Sequence, residues 1–202
     1  WTRAVSRVFS NTGNDRIIAR VKPPPHLLVD GPFCSPLENI LRERLVVCVA
    51  AGIGITPFIA ALDHLYKGDS VRWPRPCRLH LVWVVRTQDQ LTWAADLITA
   101  LHHKFWYANQ PDRFDVALFV TRSVSDSTQQ IPSLANGLLE KRTQQGRPNW
   151  ATLFTEWVSL YQKKHVSVFT CGPQTLNTQV KSMAEKFNRK GFHFTCIHES
   201  FS

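Results

Sequence analysis

The chain has 202 residues, 44% hydrophobic and 11% aromatic, which is enough apolar matter for one large or two small cored domains and too much for general disorder. A formal net charge of +9 favours an anionic partner such as a nucleotide, a nucleic acid or an acidic membrane surface. The basic residues are scattered, with small clusters at Arg72/Arg75/Arg78, Lys141/Arg142/Arg147 and Lys186/Arg189/Lys190, and this argues against a nucleic-acid footprint.

Five cysteines without a C-x-x-C pair read as reduced thiols, not as a disulfide framework. No signal peptide or membrane-spanning run is visible, and a chain that begins at Trp1 reads as a piece of a longer protein.

Residues 1–28 read as the end of a preceding domain, with a strand at 16–21 and a stiff connector at Pro23-Pro24-Pro25. Another short strand, 27–30, is closed by Gly31-Pro32, and a domain boundary falls near Leu41, dividing 1–41 from 42–202.

The stretch that follows organises the chain. Residues 45–50 form a continuous apolar run with Val46, Val47 and Val49, as in a strand buried on both faces. Gly52 and Gly54 break it, and after Pro57 the residues Phe58, Ile59, Leu62 and Leu65 recur at helical spacing up to a stop at Gly68. A strand–glycine turn–helix unit aims backbone N–H groups and the positive end of a helix dipole at one spot, where an anion fits. The run matches neither G-x-G-x-x-G nor the P-loop, and an ordinary buried strand–turn–helix without a ligand has the same pattern.

The chain then alternates. A second strand spans 79–86, and a helix over 91–104 places Leu91, Ala94, Ala95, Ile98 and Leu101 on one side. His102, His103 and Lys104 stand at its end, where cations suit the dipole better than they suit a metal. A third strand covers 114–121. The Ser/Gln-rich segment 123–147 reads at least in part as a surface loop. A helix beginning at Trp150, with Asn149 as its cap, carries an aromatic stripe of core type. A fourth strand at 165–171 runs into Gly172-Pro173, a further helix carries Val180, Ala184 and Phe187, and a fifth strand spans 192–197. The fold class is therefore α/β, a five-stranded mainly parallel sheet with helices on both faces.

In that architecture ligands lie at the carboxyl ends of the strands. Gly52-Ile53-Gly54, Arg86 and Cys171-Gly172-Pro173 all fall there. Arg86 suits the 2′-phosphate of an NADP-type nucleotide, although a solvated strand end would look the same and Asp89 keeps an NAD-type ribose contact open. Cys171 has no histidine partner nearby in sequence and reads as packing beside the reactive end of a nucleotide, since hydride transfer needs no protein nucleophile.

Ala51-Gly52-Ile53-Gly54-Ile55-Thr56-Pro57, Trp83-Val84-Val85-Arg86, Lys104-Phe105-Trp106, Gly146-Arg147-Pro148-Asn149-Trp150, Cys171-Gly172-Pro173 and Glu199-Ser200-Phe201-Ser202 together resemble the cytosolic dehydrogenase region of the NADPH oxidases. The resemblance implies a ferredoxin-reductase-type NADP-binding lobe over 42–202, preceded over 1–41 by the remnant of a flavin-domain β-barrel and a linker. It implies that Gly52, Gly54, Thr56 and Pro57 cradle the pyrophosphate and that Arg86 and Arg147 grip the 2′-phosphate. Cys171 would sit beside the nicotinamide with Gly172 and Pro173 shaping the wall, Glu199 would orient that ring, and Phe201 would stack on the flavin.

NADPH is then the cofactor of this chain. FAD is held mainly by the preceding part of the parent, and haem occurs only in its membrane domain. The implied partners are those two domains and a small membrane subunit, with no nucleic acid, at the cytosolic face of a membrane. Ala51 and Cys34 stand where the family usually has glycine, Thr87 where it usually has Asp, and the His-Pro-Phe-Thr flavin motif is missing, so the chain alone is expected to be inactive. Two other readings are a basic docking module with a degenerate nucleotide fold and a reductase lobe serving another acceptor.

Overall fold

Branching at Val46, Val47 and Val49 stiffens the backbone in the extended region, and Leu45–Ala51 is strand β1, buried along nearly its whole length. The computed structural model describes residues 36–68, 76–122 and 137–199, all within the unit Cys34–Ser202. The strands expected at 16–21 and 27–30, the flavin-barrel remnant that they would belong to, and Phe201 lie outside the described residues.

After β1 come a 3₁₀ turn at Gly52–Ile55, helix α1 (Thr56–Lys67), β2 (Arg78–Val85), a 3₁₀ turn at Gln88–Trp93, α2 (Ala95–Tyr107) and β3 (Phe114–Val120). Then follow α3 (Gly137–Arg142), β4 (Thr143–Gln145), α4 (Trp150–Tyr161), β5 (His165–Cys171), α5 (Gln174–Asn188) and β6 (His193–Glu199). The sheet order is β4-β3-β2-β1-β5-β6, and every neighbouring pair is parallel.

Side chains alternate across a strand, and β1 feeds two cores accordingly. Val46, Cys48 and Ala50 pack on one face with Phe58 and Leu62 of α1 and Ile98 and Leu101 of α2. Leu45, Val47 and Val49 pack on the other with Phe154 and Trp157 of α4 and Val180 and Phe187 of α5. Asn149 caps α4, its side-chain oxygen accepting from Thr152 N at 3.3 Å.

Three elements differ from expectation. Among the described residues the sheet has six strands because Thr143–Gln145, inside the segment read at least in part as loop, pairs with Leu118, Phe119 and Val120 of β3. Three polar residues at a sheet margin carry no apolar pattern; backbone pairing holds them, with the Thr143 hydroxyl donating to the Leu139 carbonyl at 2.6 Å. Residues 137–142 of the same segment are helix α3, which buries Leu139. The helix expected over 91–104 opens as a 3₁₀ turn, breaks at Ala94 (φ −131°, ψ 8°) and runs on to Tyr107.

Lys104 stands in the last turn of α2, as expected, and also reaches the end of another helix. Its Nζ donates to the carbonyls of Leu65, Tyr66 and Gly68 at 3.0, 2.7 and 2.5 Å, satisfying the carbonyl end of α1.

Candidate functional site

From β1 the chain lays β2, β3 and β4 outward on one side, then crosses back to lay β5 and β6 on the other. The order reverses between β1 and β5, and a crevice opens at the carboxyl ends of such a pair. The two ends meet through glycine. A β-carbon on Gly54 would strike the Cys171 carbonyl, and one on Gly172 would come within 2.9 Å of the Ala51 side chain. Gly52 has room for a β-carbon but adopts φ +52°, a left-handed conformation that other residues resist.

The turn is also held from inside the core. Trp83 is fully buried and its Nε1 donates to the Gly52 carbonyl at 3.0 Å. Thr56 Oγ1 donates to the Ile53 carbonyl at 2.8 Å, as does its own backbone N–H, so both donors close the turn into α1. Pro57 occupies the first turn of α1, where its missing N–H costs nothing.

A cleft of about 630 Å³ follows the carboxyl edge, lined by Gly52, Gly54, Arg86, Trp93, Gly172 and Pro173 among others. That volume lies within the roughly 300–1,000 Å³ of small-molecule sites. Gln90 Oε1 accepts from the backbone N–H of Arg86 at 3.0 Å, which fixes the end of β2. The backbone N–H of Arg122, just past β3, donates to the Arg86 carbonyl at 2.9 Å, and Gly146, just past β4, donates to Val120 at 2.8 Å.

Arg86, Arg122 and Arg147 therefore leave the sheet at the ends of three adjacent strands, which lie about 4.8 Å apart. All three are exposed, and among the described residues none forms an ion pair with a carboxylate. Of the three only Arg86 lines the cleft; Arg122 and Arg147 follow the next two strands along the same sheet edge.

Cys171 ends β5 fully buried, its carbonyl close against the Gly54 turn. Burial, and then the charge of Glu199, push its thiol up to about 11, so it is protonated at neutral pH and inert as a nucleophile. Glu199 ends β6 in register with Cys171.

The structure thus gathers Gly52, Gly54, Arg86, Gly172 and Pro173 around one cleft and sets Thr56 and Pro57 in the helix behind it. Cys171 and Glu199 lie at the adjoining strand ends and Arg147 on the margin. Sequence reasoning missed Arg122 and the donor on Trp83. The signal for Arg122 was a basic residue ending an apolar strand, the same as for Arg86.

Residues 43–185 match the ferric reductase NAD binding domain. The chain is 38% identical over 178 residues to NADPH oxidase 4 of Homo sapiens, covering 88% of this chain and 30% of that protein. It is 29% identical over 213 residues to human NADPH oxidase 3, covering 100% of this chain and 37% of the other. It thus spans about a third of the length of these relatives. The CS-b5R domains of human Ncb5or, solved in the NAD+ form, share its fold with a TM-score of 0.54 at 20% identity, covering 86% of this chain and 40% of that one.

Proposed function

Because the chain belongs to the ferric reductase NAD binding domain family, we propose that it is the NADPH-binding lobe of an NADPH oxidase. On this reading residues 1–41 close a flavin-binding barrel and its linker, and 42–202 form the nucleotide lobe. The observation that carries it is a two-glycine turn at the point where strand order reverses, followed along the same sheet edge by three exposed arginines that form no ion pair among the described residues. The first suits pyrophosphate; the second suits the extra phosphate that distinguishes NADPH from NADH.

The residues present fit that ligand. Gly54 and Gly172 leave no room for β-carbons between the two strand ends, and Gly52 lets the backbone turn. Arg86 and Arg147, with Arg122 between their strands, hold the 2′-phosphate. The protonated Cys171, Gly172 and Pro173 form the wall beside the nicotinamide, Glu199 orients the ring, and Phe201 covers the flavin until nicotinamide arrives.

NADPH supplies a hydride when bound; FAD and haem, held by other parts of a longer protein at the cytosolic face of a membrane, carry the electrons to oxygen as superoxide or hydrogen peroxide. A small membrane subunit is a further partner of that protein. The share of this chain is to bind and orient the nucleotide.

Thermal unfolding with NADPH, NADH and FAD tests the reading. NADPH should raise the midpoint more than NADH, and Arg86→Ala with Arg147→Ala should abolish the difference, Arg122→Ala reducing it. Equal protection by NADPH and NADH in the unaltered chain would refute the 2′-phosphate assignment. Salt-sensitive binding to anionic vesicles without any nucleotide response would instead favour a docking module.

A further inference from the structure

An apolar side chain at position 83 would fill the core equally well without a donor, whereas an indole buried there must find a partner for its N–H. The partner it has is the carbonyl of Gly52, at 3.0 Å. Gly52 is the residue whose φ of +52° makes the turn after β1, and no atom would obstruct a β-carbon there. The left-handed turn is therefore not imposed by crowding at Gly52, and the Trp83 hydrogen bond reaches it from inside the core.

A trans peptide is planar, so its C=O and the following N–H point in opposite directions. Anchoring the Gly52 carbonyl on the Trp83 side turns the Ile53 N–H the other way. Ile53 is 64% exposed and lines the cleft. We propose that Trp83 is a positioning residue of the nucleotide site. Its indole N–H sets the plane of the Gly52–Ile53 peptide, and the Ile53 amide donates to the pyrophosphate. This deepens the dinucleotide reading and rests on it.

Trp83→Phe keeps an aromatic ring and removes the donor. Equilibrium binding is measured with three probes: NADPH, inorganic pyrophosphate, and adenosine 2′-monophosphate, which reaches only the arginine row. Loss of one orienting hydrogen bond should weaken NADPH and pyrophosphate about fivefold and leave adenosine 2′-monophosphate unchanged. A purely structural role would weaken all three alike, and that result, or unchanged pyrophosphate binding, overturns the proposal.

If the variant does not fold, the unaltered chain still decides: in backbone amide NMR the Ile53 resonance should shift saturably with pyrophosphate, and a fixed resonance overturns the proposal. If the unaltered chain binds none of the three probes, the dinucleotide reading falls as well. If it binds all three but Trp83→Phe changes none, only the role of Trp83 falls.

Discussion

The β-carbon that Gly54 lacks would sit 2.2 Å from the carbonyl oxygen of Cys171 and 2.8 Å from its carbon. Both atoms are backbone, in a strand held on each side by β1 and β6, so they cannot step aside as the tip of a side chain could. Gly54→Ala should therefore destabilise the fold by about 1–3 kcal/mol or more and spoil the cleft with it. Gly52→Ala meets no atom and costs only the left-handed backbone, about 1–2 kcal/mol. Urea unfolding of both variants should rank Gly54→Ala as the worse, with nucleotide binding lost in step; the reverse order would show that the two strand ends are not in backbone contact.

Thiol reactivity separates the cysteines. Burial, then Glu199, pushes the Cys171 thiol up to about 11, and Cys48 is pushed up further still by burial alone, whereas Cys77 is exposed. Iodoacetamide at pH 8, followed by peptide mapping, should label Cys77 readily and spare Cys171 and Cys48 until the protein unfolds. Labelling of Cys171 at the rate of Cys77 would contradict its burial at the end of β5.

A polar cluster away from the cleft predicts an acid response. His80 bridges Asp115, at 3.3 Å from Nδ1, and the Tyr161 hydroxyl at Nε2, and Arg142 also pairs with Asp115. Burial pushes the Asp115 carboxyl up, but hydrogen bonds and charge from His80 and Arg142 outweigh it and hold the group below its ordinary value. A depressed carboxylate contributes stability that is present above its unfolded value of about 3.9 and is lost as pH falls through the lower folded value. Asp115→Asn should therefore be less stable than the unaltered chain at pH 7, with the gap in unfolding midpoint closing as the pH is lowered below about 4. A gap independent of pH would mean that Asp115 contributes through shape rather than charge.

Much of this was legible in the chain. Continuous apolar runs announced β1, β2 and β5, and glycine, proline and asparagine punctuated them where the backbone turns, down to the cap at Asn149. Gly52, Arg86 and Gly172 could be named because each directly follows a strand, so local reading placed them at the edge. What escaped depends on pairing between distant segments. β4 has no apolar signal, and Arg122 comes beside Arg86 only because β3 pairs with β2. Lys104 serves the end of α1, 36 to 39 residues away. No periodicity within one segment reports such partners.

The carboxyl edge of the sheet is unevenly held. β1, which carries the glycine turn, is clamped between two long neighbours, whereas Arg147 follows a three-residue strand that among the described residues has β3 on one side only. Local opening is easiest where few bonds hold the chain, so the segment that carries Arg147 is expected to open before the turn on β1. A nucleotide spanning from turn to margin would stitch that loose hem to the centre, and the sheet would gain most order at its rim, farthest from the hydride.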